Sequence, residues 1–244
     1  MSTASFSFSG ELEPFLIKER RGHVFQYTCA RAATLKNAIE ALGVPHTEVG
    51  AVTVNGEPAT LQRVVRDADR IEIFPWKESG SDPDFRFLAD AHLGGLARLL
   101  RMLGFDTVHR NAFDDAEIRS LASEEPRIVL TRDRELLKCR EIRRGCYVRA
   151  LKPEAQLKEV AARYGLARLA RPFTLCLHCN LELEPVSREA VADRVPKSVL
   201  LLQQAFTHCQ SCDRVYWPGS HYERMRERLQ AEFGVRVEIQ FSRT

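Results

Sequence analysis

The chain has 244 residues, which is more than one average domain, so we expect two or three modules. Apolar residues make up 44% and charged residues 28%, a balance that excludes a disordered or fibrous protein. The net charge of +3 is too small to identify a partner, although the basic excess, mostly arginine, lies in residues 81–171.

The cellular compartment is inferred from the absence of export signals. The first ten residues, MSTASFSFSG, lack the basic start and apolar run of a signal peptide. No stretch approaches the ~18 apolar residues that a membrane helix needs. We therefore expect a cytoplasmic protein with no membrane partner. In such a reducing compartment, seven cysteines favour metal binding over disulfides.

Residues 1–77 are predicted to form a ubiquitin-like β-grasp domain of the α+β class. Thr34 fits the N-cap of a helix at 35–42, and Asn55-Gly56 is a strong hairpin turn. Strands are expected at 5–8, 23–27, 49–54 and 71–74. The segment from Lys77 to Asp84 is rich in Ser, Gly, Asp and Pro, which predicts a linker.

Residues 85–171 alternate between strand and helix patterns. Strands are predicted at 85–89, 105–109, 127–131 and 146–150, and helices at 93–103, 115–123, from 133, and at 153–164. Because strand and helix alternate throughout, we predict an α/β domain with a parallel sheet and helices on both faces.

Acidic residues follow three of these predicted strands. Asp90 follows the first, Asp114 and Asp115 follow the second after a short loop, and Asp133 follows the third. In proteins with open parallel sheets, the functional residues lie just beyond the carboxyl ends of the strands. Grouped carboxylates repel one another unless a cation neutralises them, and oxygen ligands suit Mg²⁺ or Mn²⁺. The alternative is that Asp115 and Asp133 cap helices.

Arginines accompany the acidic residues. Arg98 and Arg101 share one face of the predicted helix, and Arg132 and Arg134 flank Asp133. Arginine binds phosphate in a bidentate manner, so all four are candidate contacts for an RNA backbone. The alternative is that they form a solvated helix surface.

Four cysteines occur as two C-x2-C pairs, Cys176 with Cys179 and Cys209 with Cys212. Two such pairs bind Zn²⁺ in a tetrahedral site that leaves no open position, so we predict a structural zinc site in residues 172–244. His178 or His208 could replace a cysteine ligand, and a redox role for either pair is a weaker alternative.

Several motifs occur together in a recognisable order: FLADAHLGGLARLLRMLGFDT, DDAEI, RIVLTRDRELL, the cysteine pairs and VYWPGSHYERM. In this order they resemble the Mut-seven C-terminal RNase family, over residues 5 to 229. The resemblance implies a PIN-like nuclease followed by a zinc ribbon, often preceded by a ubiquitin-like domain. It also implies metal-dependent RNA cleavage, with Asp90, Asp115 and Asp133 as acidic residues and Asp114 as a less certain fourth.

The first domain carries a resemblance of its own. The segment VTVNGEPATLQRVVRDADRIEIFP is similar to the later half of ubiquitin-like sulfur carriers, which end in a reactive Gly-Gly. Here the corresponding segment continues as PWKESGSDPDF, so that covalent chemistry is not expected. We interpret the domain as a docking or stabilising module.

Three functions are compatible with these patterns. The first is a ribonuclease that uses Mg²⁺ or Mn²⁺ for catalysis and Zn²⁺ for structure. The second is a non-catalytic adaptor that binds RNA or the ribosome through the basic face and the zinc ribbon. The third is a protein-interaction module in which the β-grasp domain binds a protein or ribosomal partner.

Overall fold

The computed structural model describes residues 1–77 and 85–233. Apart from Lys77, the predicted linker lies outside the described residues. The chain divides into two compact units, the first made of Met1–Gly80 and Phe113–Val148, the second of Ser81–Ala112 and Arg149–Thr244. The three domains predicted from the sequence remain predictions.

The first 77 residues form a five-stranded sheet and one α-helix. The elements are β1 (Ser2–Phe8), β2 (Phe25–Cys29), α1 (Leu35–Ala41), β3 (Val49–Val54), β4 (Glu57–Ala59) and β5 (Arg70–Pro75). The strand order is β2-β1-β5-β3-β4, in which only β1 and β5 are parallel. This mixed sheet with a single helix between two hairpins is the β-grasp arrangement, as predicted.

Two local predictions in this region are confirmed. Thr34 caps α1 in a capping box with Asn37. Asn55 and Gly56 both have positive φ angles, +56° and +89°, which the tight turn between β3 and β4 requires. Phe6, Leu12, Ile39, Ile71 and Ile73 are all fully buried in the core of this sheet.

The middle of the chain contains short strands and three α-helices. The elements are β6 (Phe87–Ala89), α2 (Gly94–Met102), β7 (Thr107–Val108), α3 (Asp115–Glu124), β8 (Ile128–Thr131), β9 (Gly145–Tyr147) and α4 (Pro153–Tyr164). β6 and β7 pair in parallel in the second unit, and β8 and β9 do so in the first. The helix predicted from Asp133 is instead a 3-10 turn at Leu136–Lys138.

The last described part is a small antiparallel sheet with two helices. It comprises β10 (Glu184–Val186), α5 (Lys197–Leu202), β11 (Phe206–His208), β12 (Val215–Tyr216) and α6 (Ser220–Phe233), with strand order β10-β11-β12. Its small core contains Val191, Val195 and Phe206. Within the described residues, every helix is too short or too polar to cross a bilayer.

In the first unit, the segment around β9 packs on the β-grasp sheet. Tyr147 packs against the β-grasp core, with its ring 5.2 Å from that of Phe15. The two ring nitrogens of His46 lie 2.7 Å from Glu40 Oε1 and 3.0 Å from the carbonyl oxygen of Ile142. The β-grasp domain therefore supports the chain that follows β8.

In the second unit, close packing between α2 and α4 explains one glycine of the Gly94-Gly95 pair. A Cβ atom on Gly95 would lie 2.5 Å from Pro153 Cγ, the first residue of α4. A larger residue at 95 would push the two helices apart. Below them, the rings of Phe85, Phe87 and Tyr164 pack together at centroid distances of 5.4–6.4 Å.

Candidate functional site

The acidic residues of the first unit lie at the starts of α3 and of the turn after β8. Asp114, rather than Asp115, is the N-cap of α3: its carboxylate accepts from the Glu117 N–H at 2.8 Å, and Glu117 completes a capping box. Asp115 is the first residue of the helix and is exposed. A carboxylate in the first turn also interacts favourably with the helix dipole.

Asp133 is exposed and organises the turn that follows β8. Its Oδ1 accepts from the backbone N–H groups of Glu135 and Leu136, at 2.7 and 3.3 Å. Its own N–H donates to Thr131 Oγ1 at 3.0 Å. Asp133 is therefore held in place by local hydrogen bonds, although it is not the N-cap of the 3-10 turn that follows, and these bonds also orient its carboxylate.

Asp115 and Asp133 have a common neighbour in Cys139. Burial raises the pKa of the Cys139 thiol, and the negative charges of Glu141, Asp115 and Asp133 raise it further, while Arg119 opposes the shift. Arg119 Nη2 donates to Glu141 Oε1 at 2.8 Å. The charges of Asp115 and Asp133 thus both act on the Cys139 thiol, but among the described residues the predicted acidic residues do not form a group of three with ligand atoms within 4.8 Å of one another.

Asp90 belongs to the second unit. It follows β6 directly, is half-buried, and precedes the 3-10 turn Ala91–Leu93. Its carbonyl oxygen accepts from the Leu93 N–H at 2.8 Å, and its side chain does not cap the turn.

The four predicted RNA-binding arginines have different surroundings. Arg98 and Arg132 are exposed. Arg134 lies over the rings of Phe15 and Tyr147, 4.9 and 5.3 Å from their centroids, and donates to the Phe15 carbonyl oxygen at 3.4 Å. Its guanidinium therefore joins the β-grasp domain to β9, through a cation–π contact.

Arg101 is only 6% exposed, although it was predicted on a phosphate-binding surface. Nε donates to the Thr107 carbonyl oxygen at 2.9 Å, and Nη1 donates to those of Leu177 and His178 at 3.1 and 2.9 Å. Burial lowers the pKa of Arg101, and the nearby thiols of Cys176 and Cys179 oppose this shift. Arg101 thus ties α2 to the first cysteine pair.

The side chain of Asn180 makes a second connection between the first cysteine pair and the strands. Its Oδ1 accepts from the Thr107 N–H at 2.8 Å, and its Nδ2 donates to Asp106 Oδ1 at 2.5 Å. Asn180 has a positive φ of +65°, which asparagine tolerates better than most residues. Residues 172–233, which we call the cysteine module, and strand β7 are therefore parts of one packed unit.

The four predicted zinc ligands come together. The Sγ atoms of Cys176, Cys179, Cys209 and Cys212 all lie within 4.8 Å of one another, and no disulfide links them. Cys176 Sγ and Cys212 Sγ are 3.6 Å apart. Tetrahedral zinc with Zn–S bonds of ~2.3 Å places its sulfur atoms about 3.8 Å apart, so the thiols fit this ion. Across residues 1–77 and 85–233, no other group of three or more possible ligands is this close.

The surroundings of the thiols favour a closed site. Cys176 and Cys209 are fully buried, and the Cys179 N–H points to Cys176 Sγ at 3.4 Å. Burial raises the pKa of Cys179 to about 12. Burial also disfavours the thiolate of Cys212, but hydrogen bonds from Arg214 and from the Cys179 and Cys176 thiols together lower the pKa of Cys212 to about 6. The sequence did not predict Tyr216, whose hydroxyl lies 3.3 Å from Cys176 Sγ.

A pocket of about 540 Å³ opens beside α2 in the second unit. The polar side chains that line it are Arg98, Arg101, His109, Arg110, Asn111 and His178, and none of the described lining residues is acidic. We name this the basic pocket. His109, Arg110 and Asn111 are not among the residues predicted from the sequence; the signal for them is the polar run that directly follows the short strand β7.

Comparisons with known proteins give a family. The model of the Mut7-C RNAse domain matches residues 85–229, and that of the Mut7-C ubiquitin domain matches residues 1–81. No curated protein matches the chain. Two solved structures are similar to part of the chain. Small archaeal modifier protein 1 of H. volcanii is 19% identical, and the match covers 31% of this chain and 98% of that chain with a TM-score of 0.25. SAMP1 from Haloferax volcanii is 20% identical, and the match covers 33% of this chain and 100% of that chain with a TM-score of 0.26.

Proposed function

Because the chain belongs to the Mut7-C RNAse family, we propose that it is a metal-dependent ribonuclease that hydrolyses RNA phosphodiester bonds. The observation that carries this proposal is the match of the RNAse-domain model to residues 85–229. The middle domain is proposed to be PIN-like, and the cysteine module to be a zinc ribbon.

We propose Asp115 and Asp133 as metal ligands, and extend the proposal to Asp90 and Asp114. The exposed positions of both carboxylates, at the start of α3 and in the turn after β8, support the first pair. Carboxylate oxygens suit Mg²⁺ or Mn²⁺, which would supply an activated water and neutralise developing charge on the phosphate. Arg132, exposed beside Asp133, would bind a phosphate oxygen.

The cysteine cluster is proposed to hold one structural Zn²⁺. Four thiolates around Zn²⁺ leave a net negative charge, and buried Arg101 lies beside two of these residues. Its positive charge would therefore balance the loaded site. The zinc ion would also stabilise the segment whose carbonyl oxygens, at Leu177 and His178, accept hydrogen bonds from Arg101.

Asp133→Asn tests the catalytic proposal. Asparagine keeps an Oδ1 acceptor for the Glu135 and Leu136 N–H groups, so the turn should stay folded while the negative charge is lost. We expect Mn²⁺-dependent cleavage of single-stranded or structured RNA to be abolished. Asp193→Asn, an exposed residue of the cysteine module, is the matched control and should cleave like the wild type.

One observation favours a second candidate, the non-catalytic RNA-binding adaptor. The carboxylates of Asp114 and Asp133 both accept backbone N–H groups, which gives each a structural role without any metal. RNA binding by the zinc-loaded protein that never yields product with added Mg²⁺ or Mn²⁺ would favour the adaptor. Unchanged cleavage by Asp133→Asn would remove the assignment of that residue.

A further inference from the structure

We propose that the basic pocket binds the phosphate group of an RNA nucleotide, and so positions the strand that the proposed ribonuclease cleaves. The inference rests on the proposed function for the identity of the ligand as RNA. The pocket itself is assigned from its charge, its size and the buried guanidinium in its wall.

The charge of the pocket favours an anion. Arg98, Arg101 and Arg110 line it together with His109 and His178, and none of the described lining residues is acidic. Arg98 and Arg110 are exposed, so their side chains are accessible to a ligand. Arginines bind phosphate through charge-assisted, often bidentate hydrogen bonds.

Arg101 supplies the second observation. Its side chain is more than nine-tenths buried and lines the pocket. Nε and Nη1 donate hydrogen bonds to three backbone carbonyl oxygens. Its Nη2 has no hydrogen-bond acceptor among the residues that the structure describes. Nη2 is not one of the buried polar atoms that lack a partner, so solvent reaches it, and a phosphate oxygen in the pocket would accept a charge-assisted hydrogen bond from it.

The backbone beside the pocket also suits an anion. Gly94 and Gly95 line it and form the first turn of α2, whose N-cap residue is Leu93, so no side chain caps the helix. The first N–H groups of a helix have no partner within the helix and attract anions. A Cβ atom on Gly94 would lie 2.9 Å from His109 Cε1, so glycine keeps this wall open.

The pocket is large enough to hold a nucleotide. A volume of about 540 Å³ lies within the range of small-molecule sites, ~300–1,000 Å³. The bound phosphate belongs either to a 5′-phosphorylated RNA end or to the backbone within a strand. Both present the same chemistry to the arginines.

The test measures RNA binding without added Mg²⁺ or Mn²⁺, so that binding is separated from cleavage. Fluorescence anisotropy follows a labelled ten-nucleotide RNA, with a 5′-phosphate or a 5′-hydroxyl, on zinc-loaded full-length protein at several salt concentrations. Arg98→Gln and Arg110→Gln are the variants. Arg224→Gln, an exposed arginine on α6 of the same unit, is the matched control.

We expect each pocket variant to weaken binding about tenfold and to reduce the salt slope by about one, while Arg224→Gln binds like the wild type. Tighter binding of the 5′-phosphorylated RNA assigns the pocket to a strand end; equal binding assigns it to the backbone. Wild-type affinity in both pocket variants, or no RNA binding by the wild type, overturns the inference. Arginine-dependent binding by a protein that fails to cleave the same RNA after Mg²⁺ or Mn²⁺ is added would contradict the proposed function but leave the phosphate site intact.

Discussion

The backbone N–H of Tyr147 donates a hydrogen bond to Oε1 of Glu48 at 2.7 Å. Glu48 is only 1% exposed and directly precedes β3 of the β-grasp sheet, whereas Tyr147 is the last residue of β9. A buried carboxylate that accepts a backbone hydrogen bond contributes more to stability than an exposed one. The first unit therefore joins the β-grasp domain to the segment after Asp133 through buried polar contacts as well as packing.

Glu48→Ala should lower the free energy of unfolding by about 1–3 kcal/mol, because the buried N–H of Tyr147 loses its acceptor. Urea denaturation of the full chain, followed by circular dichroism, measures the change. Glu57→Ala, at an exposed glutamate of β4, should change the free energy by less than about 0.5 kcal/mol. Equal effects of the two substitutions would contradict a specific role for Glu48.

Sequence patterns correctly predicted the structural features that depend only on neighbouring residues or on metal-ligand spacing. The capping box of Thr34, the turn at Asn55-Gly56 and the grouping of the two cysteine pairs each depend on a few neighbouring residues or on one metal chemistry. The helix predicted from Asp133 was wrong. Asp133 instead accepts hydrogen bonds from the N–H groups of Glu135 and Leu136 before a short 3-10 turn, and Arg134 beside it contacts Phe15, more than a hundred residues earlier.

Arg101 shows why the candidate site was only partly predictable. Its spacing from Arg98 correctly placed both on one helix, but spacing cannot reveal which of two arginines is buried. Burial of Arg101 depends on the carbonyl oxygens of Leu177 and His178, which come from a distant part of the chain. Tertiary contacts of this kind override the local preference of arginine for solvent.

Arg101→Gln should weaken zinc binding by roughly 10–100-fold, because the carbonyl oxygens of Leu177 and His178 lose the donor that orients the first cysteine pair. Competition with a chromophoric chelator measures the affinity. Arg98→Gln, three residues earlier on the same helix, should keep the wild-type zinc affinity. Zinc binding that is unchanged by Arg101→Gln would show that the packing of the module alone orients the site.

Cys209→Ser should abolish stoichiometric zinc binding, because the fully buried thiol is one of four ligands in a closed cluster. Metal analysis of the purified protein should give about one zinc per chain for the wild type and almost none for the variant. Cys139→Ser, which changes a cysteine outside the cluster, should retain the metal. A second zinc lost with Cys139 would overturn the single-site assignment.

The buried carboxylate of Asp69 predicts how the stability of the β-grasp domain depends on pH. Arg63 donates to it at 2.7 and 3.1 Å, and the Arg66 N–H donates at 2.8 Å. The hydrogen bonds from Arg63 are the main cause that lowers the pKa of Asp69. Because the folded pKa lies below the unfolded value of about 3.9, the ionised carboxylate stabilises the fold fully above that pH.

This stabilisation is lost as the pH falls through the lowered, folded pKa of Asp69. Asp69→Asn should therefore be less stable than the wild type near neutral pH, by about 2–4 kcal/mol, since it leaves the largely buried Arg63–Asp69 pair without its negative charge. The difference should shrink as the pH falls below about 4, because the carboxylate of the unfolded chain is protonated there while the folded one, with its lowered pKa, is protonated only at lower pH. Urea denaturation at pH 7 and at pH 3 measures both values. A difference that stays constant between these pH values would mean that Asp69 acts through its shape and neutral hydrogen bonds rather than through its charge.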